Sequence, residues 1–148
     1  MTRIDFYVLD DALLSTRLDL ICKLAEKGCG QTQRVFIYCT ARSILEELDA
    51  RLWDFRPMSF VAHSLLEEST PESDRTLQHE TDPVLLSSGE PGVDRTLLIN
   101  LDHAVPPFFS RFERTLEVVN KHPETQESGR LRYRFYKQRG YPLQHHNV

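Results

Sequence analysis

Two apolar runs constrain this chain more than any other feature. Residues 34–39 (RVFIYC) and 95–101 (RTLLINL) are almost continuously apolar. Such runs suit strands buried on both faces, and strands of that kind belong to parallel sheets covered by helices. The neighbouring segments agree. Residues 4–9 (IDFYVL) read as a strand ending at Asp10-Asp11. Residues 12–26 recur with a helical period and are expected to stop at Gly28-Cys29-Gly30. Thr40 is the expected N-cap of a helix over 41–53, whose Ile44, Leu45, Leu48 and Leu52 fall on one stripe.

The remainder continues the alternation. Short strands are expected at 60–62, 83–87 and 115–119, a turn at 89–92, and a short helix opened by Pro106-Pro107 and running to Phe112. Residues 66–82 (LEESTPESDRTLQHETD) are polar and acidic without period, and read as an exposed loop. Pro123 suits the first turn of a last helix over 123–139, which Gly140-Tyr141-Pro142 ends. No internal repeat is evident. At 148 residues, with 40% apolar and 27% charged, the chain reads as a single domain spanning 1–148. Strands alternating with helices argue for a mostly parallel α/β sheet covered on both faces.

Charge is unevenly spread. The net charge is −4, which disfavours wrapping duplex DNA. From Arg130 onward, however, there are five cations and no acid, leaving 13 cations against 22 acids before it. The three cysteines, Cys22, Cys29 and Cys39, form no CxxC pair, and a reducing compartment is expected. The N-terminal residues do not resemble a signal peptide, and no apolar run approaches the ~20 residues of a membrane span. A cytoplasmic location is therefore expected.

Catalytic motifs are sparse. Neither GxxxxGK[ST] nor a GxGxxG after the first strand occurs. Asp10-Asp11 is an acidic pair of the kind that holds magnesium in a receiver-like domain, but the acceptor Asp and the Lys that such a domain needs are missing. Capping of the next helix is the simpler role for Asp10 or Asp11. His63, His79, His103, His122, His145 and His146 show no metal-ligand spacing, and His145-His146 is expected to be solvated. Ser87, His103 and Asp102 lack a GxSxG elbow. The enzymatic alternative is a doubly wound domain using Asp10 and Asp102 with magnesium or a nucleotide.

Binding residues stand out more clearly. Arg130, Tyr133, Arg134 and Lys137 share one helical face, while Leu131 and Phe135 on another are expected to pack on the sheet. A ring among three cations is either a solvated face or a seat for an anionic partner. Single-stranded nucleic acid would stack on Tyr133, and an acidic peptide with a terminal carboxylate would use the Arg forks. The acidic remainder of the chain favours the peptide. Residues 52–60 (LWDFRPMSF) gather Trp, Phe and Met, residues enriched at protein interfaces.

Taken together, FYVLDD, RVFIYC, ARLWDFRPMSFVAHSL, PVLL, RTLLINL, FERTLEVV and GRLRYRFYKQRGYPL resemble, over nearly the full length, the chi subunit of bacterial DNA polymerase III holoenzyme. The resemblance implies a Rossmann-like three-layer α/β/α fold and a non-catalytic adaptor with no metal or cofactor. It also implies two partners. One is the psi subunit, and through it the clamp loader. The other is the acidic C-terminal tail of single-stranded DNA-binding protein, which ends in a Pro-Phe carboxylate. Carried over by position, the tail site comprises Arg130, Tyr133, Arg134, Lys137, Gly140 and Tyr141, with His122 at its rim. The psi interface comprises Trp53, Phe60 and His63. Lys137 stands where the family can have Arg, and His122 where a small apolar residue occurs.

Overall fold

A computed structural model describes residues 1–54, 63–65, 82–91 and 95–148. In chain order the elements are β1 (Arg3–Val8), α1 (Leu14–Gly30), β2 (Val35–Tyr38), α2 (Arg42–Asp54), β3 (His63–Leu65), β4 (Val84–Ser87), β5 (Leu97–Asn100), a 3₁₀ turn (Phe109–Arg111), β6 (Arg114–Val119), α3 (Pro123–Gln138) and β7 (Leu143–Asn147). Among the described residues the strands form one seven-stranded sheet in the order β3-β4-β2-β5-β6-β1-β7. Every pairing is parallel.

The apolar runs occupy the places expected of them. β2 and β5 pair at the centre, Val35 opposite Leu97. Their alternate residues enter two separate cores. Val35, Ile37, Leu97 and Ile99 meet Leu18, Ile21 and Leu45 of α1 and α2. Phe36 and Leu98 meet Phe108, Phe109 and Phe112, together with Ile4, Phe6 and Tyr136. The result is the three-layer α/β/α architecture with α1 and α2 on one face and α3 on the other.

Several local expectations change. α1 does not stop at Gly28 but runs through it to Gly30. Gly28 is closely packed instead, since a Cβ there would lie 3.0 Å from both Leu97 and Val35 side chains. Asp11 accepts from the Leu13 amide at 3.0 Å, one residue ahead of the helix, and Leu13 itself is the N-cap. α2 begins at Arg42, which leaves Thr40 one residue ahead of the N-cap position, and its hydroxyl donates to Asp102 Oδ1 at 2.6 Å. The helix after Pro107 is the short 3₁₀ turn. Leu131 does not pack on the sheet but is 59% exposed. α3 buries Thr125, Gly129, Arg132 and Tyr136 instead. His145 and His146 lie in β7, an unexpected strand on the edge beside β1. The expected strand at 60–62, residues 66–81 of the expected loop and residue 92 of the expected turn fall outside the described residues. The adjoining strand is found at His63–Leu65, and Ser64 donates a hydrogen bond to Asp82.

Candidate binding groove along the last helix

The orientation of α3 is set from below. Arg132 and Glu117 of β6 form an ion pair, Nε to Oε1 at 3.0 Å, with side chains 2% and 0% exposed. Glu117 also accepts from the Tyr136 hydroxyl at 2.7 Å and from Asn100 Nδ2 at 3.2 and 3.1 Å. Arg132 Nη1 donates to the His103 carbonyl and to Ser128 Oγ, both at 3.0 Å. Burial and the Glu117 charge push the Tyr136 hydroxyl far above its ordinary range. One of the five C-terminal cations is therefore structural. With Arg132 and Tyr136 turned inward, the helical period turns Arg130, Arg134 and Lys137 outward to solvent, with Tyr133 half-buried between them.

The end of α3 is built to stop. The Tyr141 amide donates to the Tyr136 carbonyl at 3.2 Å and the Gly140 amide to the Lys137 carbonyl at 3.1 Å. Gly140 has φ +78°, a conformation in which glycine avoids the Cβ clash. This pair of bonds is the Schellman stop, and the Tyr141 ring closes it 6.5 Å from Tyr136 and 5.0 Å from Phe109. Gly140 and Tyr141 thus turn the chain into β7, which pairs with β1.

Between α3 and the β1/β7 edge lies a groove of about 380 Å³. Its floor is Phe6 and Val8 of β1 with Val119 at the end of β6. Tyr133 and Gly129 form its helix wall, and the Tyr133 ring stands edge-on to Phe6 at 5.3 Å. Arg130, Gln126, Asn120 and His145 supply the polar lining. A second hollow on the outer side of Arg130 is lined by Pro123, Glu127, Leu131 and Arg134. Arg130 therefore belongs to both. The arrangement offers an apolar seat beside exposed cations, which suits a small apolar group carrying an acid.

The other sequence-derived residues lie elsewhere. His122, the N-cap of α3, lines a separate hollow of about 260 Å³ at the carboxyl ends of β2, β5 and β6, with Arg17, Asp102 and His103. This is the crevice where doubly wound sheets place ligands. Asp102 lines it, but its Oδ1 is held by the Thr40 amide and hydroxyl, and Asp10 is not part of the lining. Among the described residues no group of three or more His, Cys, Asp or Glu is placed to hold a metal. No helix among them is long and apolar enough to cross a membrane.

Trp53, at the end of α2, is 53% exposed, whereas its neighbour Leu52 is buried. Its ring lies 4.6 Å from that of His63, whose Nε2 is 3.1 Å from Asp49 Oδ1. Trp53 and His63 therefore come together, the Trp ring half-exposed and the His side chain buried beside it, and Phe60 lies outside the described residues. The sequence reading missed Phe6, Val8, Gln126 and His145 as parts of the groove. Only the tertiary fold brings β1 and β7 under α3, and LQHHN carries no strand alternation that would have announced it.

Comparisons with known proteins place the chain as a whole. The family model described as DNA polymerase III chi subunit, HolC, matches residues 1–144. The chain is 42% identical to DNA polymerase III subunit chi of Pseudomonas aeruginosa, covering 100% of this chain and 98% of that protein. It is 30% identical to the chi subunit of Haemophilus influenzae, over 97% of this chain and 95% of the relative. The chi subunit of Escherichia coli is 28% identical over 97% and 96%. Among solved structures, the C-terminal domain of the DEAD-box protein Dbp5 superposes with a TM-score of 0.68 at 11% identity, covering 97% of this chain and 90% of that one. A DEAD box protein from Methanococcus jannaschii gives 0.60 at 16% identity, covering 97% and 42%. Those two likenesses show a shared fold alone. With the family model spanning nearly every residue and a relative 42% identical end to end, the chain belongs to the DNA polymerase III chi subunit family, a component of DNA replication.

Proposed function

We infer that the chain is a non-catalytic adaptor of the cytoplasmic bacterial replisome, which captures the acidic C-terminal tail of single-stranded DNA-binding protein. The observation that carries this reading is the groove of about 380 Å³ with an apolar floor and Arg130 in its lining, beside a face bearing Arg134 and Lys137. The terminal Phe of the tail enters over Phe6, Val8 and Val119 against Tyr133. Its carboxylate meets Arg130, and the preceding acidic residues meet Arg134 and Lys137. An Arg fork can hold a carboxylate by two hydrogen bonds, whereas Lys137 acts as a point charge. Gly140 and Tyr141 contribute by fixing where α3 ends. His122, at the opposite end of the helix, opens onto the other hollow and acts on this groove only through the start of α3. A net charge of −4 keeps duplex DNA from being the direct target.

The second half of the adaptor is the Trp53 surface. Trp53, with Phe60, docks on the psi subunit and so connects the chain to the clamp loader, while the buried His63 backs the Trp53 ring. A half-exposed Trp beside a buried His is the kind of aromatic anchor that dominates protein interfaces.

Fluorescence anisotropy with a labelled tail peptide tests the first half. Arg130→Ala and Arg134→Ala are each expected to cost about 1–3 kcal/mol of binding, as for hydrogen bonds to charged groups. Affinity is expected to weaken with added salt, because the cations are exposed. Undiminished binding by both variants would refute the site. For the second half, co-purification with psi is expected to be lost in Trp53→Ala, and normal recovery returns Trp53 to a purely structural role.

A further inference from the structure

The adjacent histidines of β7 serve opposite faces of the sheet. β7 runs parallel to β1 with Phe6 paired to His145 and Tyr7 paired to His146. Register partners point to the same face. His146 therefore joins Asp5 and Tyr7, with Nε2 2.8 Å from Asp5 Oδ1 and its ring stacked on Tyr7 at 4.6 Å. His145 joins Phe6 on the α3 side, where it lines the groove and remains exposed. Among the described residues its ring makes no hydrogen bond or ion pair.

The ionisable lining of the groove is small. α3 contributes Arg130 and Tyr133, and β7 contributes His145. β1 and the end of β6 contribute Phe6, Val8, Val119 and Asn120, none of which titrates. Glu127 and Arg134 face the adjoining hollow on the outer side of Arg130. The Asp5 carboxylate lies on the other face of the sheet, engaged by His146 and Arg114. An anion entering this groove therefore meets one permanent cation on the helix and one group on the strand that can become a cation.

We propose that His145 is a second seat for the terminal carboxylate of a bound acidic peptide, shared with Arg130, and that it makes capture tighten as the solution becomes mildly acidic. This rests on the tail-capture reading above. A carboxylate bound against an imidazole favours the protonated form. Binding and protonation are then linked, so each strengthens the other. Tail carboxylates titrate near pH 4 and an ordinary imidazole near pH 6.5, so the interval from about pH 5.5 to about pH 8 isolates the histidine.

The test is anisotropy across that interval, with an acidic peptide ending in Phe bearing either a free carboxylate or a C-terminal amide. The intact protein is expected to bind the free-acid peptide about fivefold more tightly at the acidic end, the scale of a partly exposed ion pair. His145→Gln is expected to abolish the slope, and His145→Lys to bind tightly at both ends. The amide peptide is expected to bind weakly without a slope. If His145→Gln keeps the full slope, or the amide peptide shows the same slope, the proposal is overturned and the tail-capture reading survives. If the intact protein binds neither peptide at any pH, both fall together.

Discussion

Removing the Arg132 guanidinium, as in Arg132→Met, separates what holds α3 from what the helix presents. The pair it forms with Glu117 is almost fully enclosed, at 2% and 0% side-chain exposure. Deleting one member of a buried pair strands the other charge and typically costs about 3–5 kcal/mol. Glu117 would keep the hydroxyl of Tyr136 and the amide of Asn100, which places the loss near the lower end. For a chain of this size each kcal/mol lowers Tm by about 2–4 °C, so a drop of roughly 6–12 °C is expected. Arg132 Nη2 already lacks a hydrogen-bond partner, so the pair is incompletely satisfied. The double variant Glu117→Gln/Arg132→Met, which removes both charges of the pair, is therefore expected to recover most of the loss. Thermal unfolding followed by circular dichroism reads the stability, and tail-peptide anisotropy well below Tm reads the groove. Binding is expected to stay within about twofold of the parent, the error of an indirect effect worth under 0.5 kcal/mol. A single variant as stable as the parent, or a double variant no better than the single, would show that the pair does not set the position of α3.

Two further perturbations follow from the same layer. A Cβ at Gly129 would come within 2.7 Å of Val119 Cγ1. Gly129→Ala is expected to cost about 1–3 kcal/mol by overpacking, less the ~1 kcal/mol gained in helix propensity, and to weaken peptide binding by shifting Val119, which chemical denaturation and anisotropy would each detect. At the sheet edge, burial pushes the Asp5 carboxyl up, but hydrogen bonds and charge from Arg114 and His146 outweigh it and hold it below the usual carboxylate range. A depressed carboxylate contributes stability above its unfolded pKa and loses it as pH falls through the folded one. The urea midpoint is thus expected to fall below about pH 4, and Asp5→Asn to flatten that fall.

What the sequence made legible follows from which side of an element water touches. The runs at 34–39 and 95–101 declared central strands because both faces of β2 and β5 are buried. The outward face of α3 was equally plain, since cations at helical spacing need no knowledge of the partner element. Its inward face was not. Arg132 and Tyr136 are polar types that become core residues only because Glu117 waits on β6, a pairing across 15 positions that no local period reveals. β7 escaped for the opposite reason. An edge strand with one solvated face can be built from LQHHN, so hydrophobic patterning is nearly silent there. Gly28 was misread because a glycine needed for close approach looks, in one dimension, like a glycine that ends a helix.

The place of β1 in the sheet governs when the groove comes into existence. Its neighbours are β6 and β7, so the first of the seven strands to leave the ribosome must wait for the last two. The Asp5–His146 contact closes a loop of 141 residues. Until then Phe6 and Val8 have neither α3 above them nor His145 beside them, and no fragment lacking β7 can assemble the seat. Such late closure makes folding slow for a domain of this length. A chain that stopped before β7 would therefore lack the groove proposed above to take the tail.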